Sequence, residues 1–151
     1  MKNFKNKVAA ITGAGSGIGQ QLAVLLAKQG CHLSLSDVNE QGLAATVELV
    51  KAHNVRVTTQ KLDVSDLAAM KAWAAKTVQD HGSVNMIFNN AGVALGTTVE
   101  GASYDELEWI VNINFWGVVY GTKEFLPYIK QSGEGHIINI SSLFGLTAQP
   151  T

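Results

Sequence analysis

The sequence is poor in cysteine, proline and charge. A single cysteine, Cys31, and two prolines stand among its 151 residues. One thiol cannot build a disulfide framework, so a reducing compartment suits the chain and a cytoplasmic location is expected. Cys31 opens an apolar run and reads as a small buried core residue rather than a nucleophile. Charged residues make up only 15%, well below the ~25% of an ordinary globular chain. With 46% apolar residues, that balance argues against disorder and for an unusually large buried fraction. Eleven basic and twelve acidic side chains leave a net charge of −1 with no basic run, which argues against a nucleic-acid partner. No apolar run approaches the roughly 18 residues of a membrane span. The lysines at the start, Lys2, Lys5 and Lys7, are not followed by a signal-peptide stretch. His32, His53, His81 and His136 have no metal-ligand spacing with Cys31 or with carboxylates; they read as surface or strand-edge residues, and no metal is expected.

What is present is an alternation of short apolar runs with runs of helical period. Val8–Thr12 reads as a buried strand, Leu33–Ser36, Val84–Phe88 and Ile137–Ile140 as further strands, and Val55–Thr59 alternates like a half-exposed edge strand. Ile18, Leu22, Leu25 and Leu26 share one face of a first helix, which Gly30 is placed to end. Leu43, Val47 and Val50 mark a second helix; Leu67, Met70, Ala74 and Val78 mark a third, ended by Gly82. Ser103-Tyr104-Asp105-Glu106 is a capping box that opens one long helix to about Lys130. Regular alternation implies parallel strands joined by right-handed crossovers. The expected architecture is α/β, a Rossmann-like doubly wound sheet of five strands in the order 3-2-1-4-5. Residues 1–151 are expected to form a single domain, a truncated Rossmann unit that lacks the C-terminal part of such a fold, so the chain is read as a fragment or as a chain disordered beyond this point. The long helix carries Trp109, Phe115, Trp116 and other apolar residues nearly all round, which implies burial by another subunit or by further chain.

The strongest local signal is Thr12-Gly13-Ala14-Gly15-Ser16-Gly17-Ile18-Gly19, directly after the first strand and opening the first helix. Free N–H groups and the helix dipole there attract a diphosphate, and glycines let the backbone approach it. Asp37 ends the second strand, eighteen residues after Gly19. A carboxylate there can accept both hydroxyls of an adenosine ribose and repel a 2′-phosphate, so NAD is expected over NADP. No arginine in the loop or after Asp37 offsets that repulsion. Asp37 also stands where a helix N-cap would, in Ser36-Asp37-Val38-Asn39. S-adenosylmethionine is the rival ligand; three glycines without an acidic residue in the loop favour the dinucleotide.

With these residues the sequence resembles the short-chain dehydrogenase/reductase family, over its whole length. Thr12–Gly19 matches the family's TGxxxGxG, Asp63-Val64 its adenine-contacting pair, Asn89-Asn90-Ala91-Gly92 its NNAG, and Asn112–Gly117 the segment of its catalytic asparagine. The resemblance implies hydride transfer between NAD(H) and an alcohol or carbonyl. It implies coenzyme contacts from Gly13, Ser16, Gly17, Ile18, Gly19, Asp37, Asp63, Val64, Asn90, Ala91 and Gly92. Asp63 is alternatively an N-cap of the third helix, with Ser65 as competitor, and Asn89 alternatively ties strands together. The family pattern points to Asn114, rather than Asn112, as support for a proton relay; a buried amide there needs a bonding partner. The pattern Ser-x-x-Gly points to Ser142, rather than Ser141, as the group that polarises the substrate oxygen, with Gly145 following. Leu95, Gly96, Leu143 and Phe144 are expected along the pocket's inner wall. The family's Tyr-x-x-x-Lys is not among these residues: Tyr104, Tyr120 and Tyr128 are followed at the lysine position by Glu108, Glu124 and Ser132. The expectation is therefore a catalytically incomplete chain from an oxidoreductase that takes a small alcohol or ketone and associates through the helix at 104–130. The alternative is a nucleotide-binding or assembly module that performs no catalysis.

Overall fold

Five short strands line up side by side, and the central ones are buried along nearly their whole length because parallel strands are covered on both faces. The computed structural model describes residues 3–143 and 147. The strands are β1 (Val8–Thr12), β2 (His32–Asp37), β3 (Val57–Lys61), β4 (Met86–Asn89) and β5 (His136–Asn139). They form one sheet in the order β3-β2-β1-β4-β5, with every pair parallel. The helices are α1 (Gly17–Lys28), α2 (Glu40–Val50), α3 (Leu67–His81), α4 (Tyr104–Val111) and α5 (Gly117–Gln131). The expected doubly wound order is the one observed.

Alternation along β1 divides the core. Ala9 and Ile11 pack with Leu33, Leu35, Ala23, Leu26, Leu43 and Val50 under α1 and α2. Val8 and Ala10 pack with Ile87, Met70, Trp73, Phe125 and Ile129 under α3 and α5. Cys31 is fully buried in the first cluster, and burial pushes its thiol up to about 12, which removes its nucleophilicity. At the foot of the sheet the buried Asn85 links β1 to the approach to β5: Oδ1 accepts from Val8 N–H at 3.0 Å and Nδ2 donates to Glu134 O at 3.1 Å.

Two expectations change. The buried face of α1 is Gly19, Ala23, Leu26 and Ala27; Ile18 and Leu25 are exposed. Leu22 and Leu26 face the core as expected, while the small Gly19, Ala23 and Ala27 bring the helix close to the sheet and leave Ile18 and Leu25 outside it. The single helix from Tyr104 is also interrupted. α4 and α5 are separated by a π-helical turn over Asn112–Trp116. The extra residue in that turn rotates α5 relative to α4, which is why the apolar positions fit no single stripe. The capping box stands as expected: Ser103 and Glu106 each bond the other's backbone N–H. Gly82 ends α3 in the left-handed region at φ +81°.

Candidate coenzyme cleft and family

β1 delivers the chain into a tight turn before α1. Gly13 takes φ +65° and Gly17 φ +52°, conformations that glycine adopts without strain. The turn is also too crowded for side chains: a methyl on Gly13 would meet Ala91 Cα at 2.9 Å. The first N–H groups of α1 are thus bare at the open end of the sheet. From β2, Asp37 reaches back across this turn. Its Oδ2 accepts from Gly15 N–H at 2.8 Å and its Oδ1 from Asn39 N–H at 2.9 Å. The N-cap of α2 is Asn39, whose side chain accepts from Gly42 N–H; Asp37 is therefore not that cap.

After β3, Asp63 Oδ1 accepts from the backbone and the hydroxyl of Ser65, at 2.9 and 2.7 Å. The N-cap of α3 is Asp66, bonded to Ala69 N–H, so neither Asp63 nor Ser65 fills that place. After β4, Asn90 Nδ2 donates to Thr12 O at 2.9 Å, and Thr12 Oγ1 accepts from the N–H groups of Asn90 and Ala91. Asn89, buried inside, donates to Thr122 Oγ1 and Asn139 Oδ1, tying β4 to α5 and β5.

These segments enclose a cleft of about 590 Å³ at the C-terminal end of the sheet. Ten of the expected coenzyme residues line it: Gly13, Ser16, Gly17, Ile18, Asp37, Asp63, Val64, Asn90, Ala91 and Gly92. Gly19 lies behind it, packed on the Gly13 carbonyl. Bare N–H groups and glycine backbone stand at one end, with the acidic Asp37 and Asp63 and an apolar wall of Val38, Leu62, Val64 and Ile113 beyond them. That combination suits a flat heterocycle carrying a sugar and phosphates.

The family model described as short chain dehydrogenase matches residues 7–151. The chain belongs to the short-chain dehydrogenase/reductase family. Among its relatives, SadH of Mycobacterium tuberculosis, provisionally named an oxidoreductase, is 49% identical over 150 residues, which cover 99% of this chain and 54% of SadH. Levodione reductase of Leifsonia aquatica is 36% identical over 146 residues, 95% of this chain and 55% of that protein. A short-chain dehydrogenase/reductase from Burkholderia phymatum, solved in complex with NAD, superposes with a TM-score of 0.95 at 38% identity, covering 100% of this chain and 54% of that one. The chain thus spans about half the length of the curated relatives it matches.

As a short-chain dehydrogenase/reductase, the chain holds its asparagine in an informative place. Asn114 sits inside the π-helical turn, where its Oδ1 accepts from Val93 N–H at 2.9 Å and its Nδ2 donates to Val93 O at 2.8 Å. The expected bonding partner is present, but Asn114 is exposed rather than buried, because it faces the open side beside Gly92. Asn112 makes no side-chain hydrogen bond among the described residues. Ser141 and Ser142 lie exposed beyond the end of β5, and neither lines the cleft. Leu95, Gly96 and Leu143 are likewise outside its described lining; Phe144 and Gly145 lie outside the described residues. Sequence reasoning missed Val38, Leu62 and Val93 in the lining, and it placed Trp109 only at an interface, whereas Trp109 also lines the cleft. Its spacing of four from Ile113 was the signal available, since both then share a helical face.

Proposed function

We propose that residues 1–151 are the NAD-binding unit of an oxidoreductase that moves hydride between the nicotinamide and a small alcohol or ketone. The observation that carries this reading is the Asp37 carboxylate, fixed by Gly15 N–H at the mouth of a glycine-walled cleft. NAD supplies the hydride chemistry when bound. Gly13, Ser16, Gly17, Ile18 and Gly19 hold its diphosphate with backbone N–H groups and the dipole of α1. Asp37 accepts the two hydroxyls of the adenosine ribose and repels a 2′-phosphate. The one arginine of the sequence, Arg56, is bonded to Asp80 O and does not line the cleft, so nothing there offsets the repulsion with a guanidinium. Asp63 and Val64 meet the adenine, and Asn90, Ala91 and Gly92 pass along the nicotinamide side. The Burkholderia phymatum neighbour, solved with NAD, supports the choice of coenzyme.

Asn114 supports the proton relay and Ser142 polarises the substrate oxygen in the same reading. The tyrosine and lysine that complete such a site are not among these residues, so the 151-residue chain binds coenzyme and turns nothing over. The unit works in the cytoplasm and pairs with a second copy through the exposed aromatic side chains of α4 and the π-helical turn.

Titration calorimetry tests the reading. NAD is expected to bind at least tenfold more tightly than NADP, a difference of about 1.4 kcal/mol. Asp37→Ala should weaken NAD and narrow the gap to NADP. Equal affinities in the unmodified chain would refute the ribose-gripping role. NADH production from a panel of secondary alcohols is expected to be absent; robust turnover would overturn the incompleteness.

A further inference from the structure

The glycine turn is held from behind as well as from β1. α2 presses its first turn against the loop, where a methyl on Gly42 would meet Gly15 O at 2.6 Å. One turn further on, Thr46 is fully buried. Its hydroxyl lies 2.8 Å from Ala14 O and 3.0 Å from Gly42 O, and it accepts from Gln20 Nε2 at 3.0 Å. Gln20 Nε2 also approaches Gly15 O at 3.5 Å. Ala14 N–H donates to Ser36 O at 3.0 Å, and Gly15 N–H to Asp37. Every backbone polar group of Ala14 and Gly15 is therefore tied to β2, α1 or α2. The N–H groups of the next residues, at the start of α1, are left to the cleft.

We propose that Thr46, which does not line the cleft, is a positioning residue for the diphosphate: with Gln20 it fixes the Ala14-Gly15 backbone so that the following N–H groups converge on the ligand. The inference rests on the coenzyme reading above and adds α2 to the binding machinery. Asp37, Asn39, Gly42 and Thr46 form one chain of contacts from the end of β2 to the back of the loop, and Thr46 stands at its diphosphate end. A buried hydroxyl bonded to a carbonyl is costly to remove, because Ala14 O is then left without its partner in the interior.

Thr46→Val removes the hydroxyl and keeps the shape; Thr46→Ser keeps the hydroxyl. NAD affinity is measured for both, with amide hydrogen exchange over residues 13–19 in the free chain. Thr46→Val is expected to raise the NAD dissociation constant about tenfold and to speed exchange in the loop. Thr46→Ser should stay within about twofold on both counts. Adenosine, which has no diphosphate, should bind Thr46→Val and the unmodified chain alike. Unchanged NAD binding in Thr46→Val, equal losses in Thr46→Val and Thr46→Ser, or equal losses for NAD and adenosine would each overturn the proposal. An unmodified chain that takes up no NAD would sink the coenzyme reading itself, a result readily told from the other three.

Discussion

Gly15 and Asp37 are fitted so closely that the contact cannot survive a methyl group at position 15. Its Cβ would stand 2.9 Å from Asp37 Oδ2, in the path of the bond that Gly15 N–H donates. The carboxylate would have to swing aside and lose the Gly15 N–H bond, and Asn39 O at 3.3 Å narrows the room, so Gly15→Ala should cost about 1–2 kcal/mol of stability. Its coenzyme affinity should nevertheless fall severalfold, because the swung carboxylate no longer meets the ribose; calorimetry beside thermal melting separates the two effects. Gly121 presents the opposite case. A methyl there would strike Asn89 Oδ1, and Asn89 cannot swing because its amide is tied to Thr122 and Asn139. Gly121→Ala should destabilise the fold by about 2–3 kcal/mol, read from denaturant unfolding. His81 supplies a pH dependence. It is half-buried, with Nε2 on Thr58 Oγ1 at 2.9 Å and Nδ1 buried without a partner among the described residues. Burial, helped by Arg56 and His32, holds it down to about 4 from 6.5. The unfolded chain therefore takes up a proton that the folded chain refuses between those values. Stability is full above about pH 6.5 and falls as the pH drops towards 4. The loss is of order 1–2 kcal/mol after allowance for solvent screening at a half-exposed ring. His81→Gln should flatten this part of the stability profile.

At the scale of elements, caps and alternation were legible, while side-chain size and helix register were not. The turn glycines 30 and 82, the Ser103 box and the five strands follow from chemistry within a few residues of each site. The face of α1 did not, because Gly19, Ala23 and Ala27 pack by being small, a property that an apolar count passes over. The π-helical turn was hidden because a one-residue change of register depends on how α5 seats against Val64: a methyl on Gly117 would meet Val64 Cγ2 at 2.7 Å. In the site, the glycine loop and Asp37 were readable from spacing. Val38, Val93 and the cleft position of Trp109 came only with the fold. α4 has no fully buried residue, so it depends on its cap more than the other helices do. Ser103→Ala should therefore cost about 1 kcal/mol and raise amide exchange over residues 104–111, leaving the sheet untouched.

For the whole molecule, two apolar clusters on either side of the sheet hold the core, and the unusually large buried fraction expected from so few charges is not seen, since many large apolar side chains stay exposed. What they leave out is equally specific. Trp109, Val111, Phe115 and Trp116 remain 42–55% exposed along α4 and the π-helical turn. Phe115, Trp116 and Tyr120 form a continuous aromatic surface with ring centroids 5.3 and 5.8 Å apart. Aromatic surface of this kind is enriched in protein interfaces. Sedimentation is expected to find a self-associated chain at micromolar concentration, and Phe115→Glu to return it to monomer with its helical content intact. A monomer in the unmodified chain would remove the pairing proposal and leave the coenzyme cleft unaffected. Whether this cleft grips a dinucleotide is decided by a crystal structure of the chain grown with NAD. Density is expected for a diphosphate on the N–H groups between Gly13 and Gly19, with both hydroxyls of the attached ribose on Asp37. Density lodged elsewhere, with the glycine turn closed or bare, would refute the dinucleotide site.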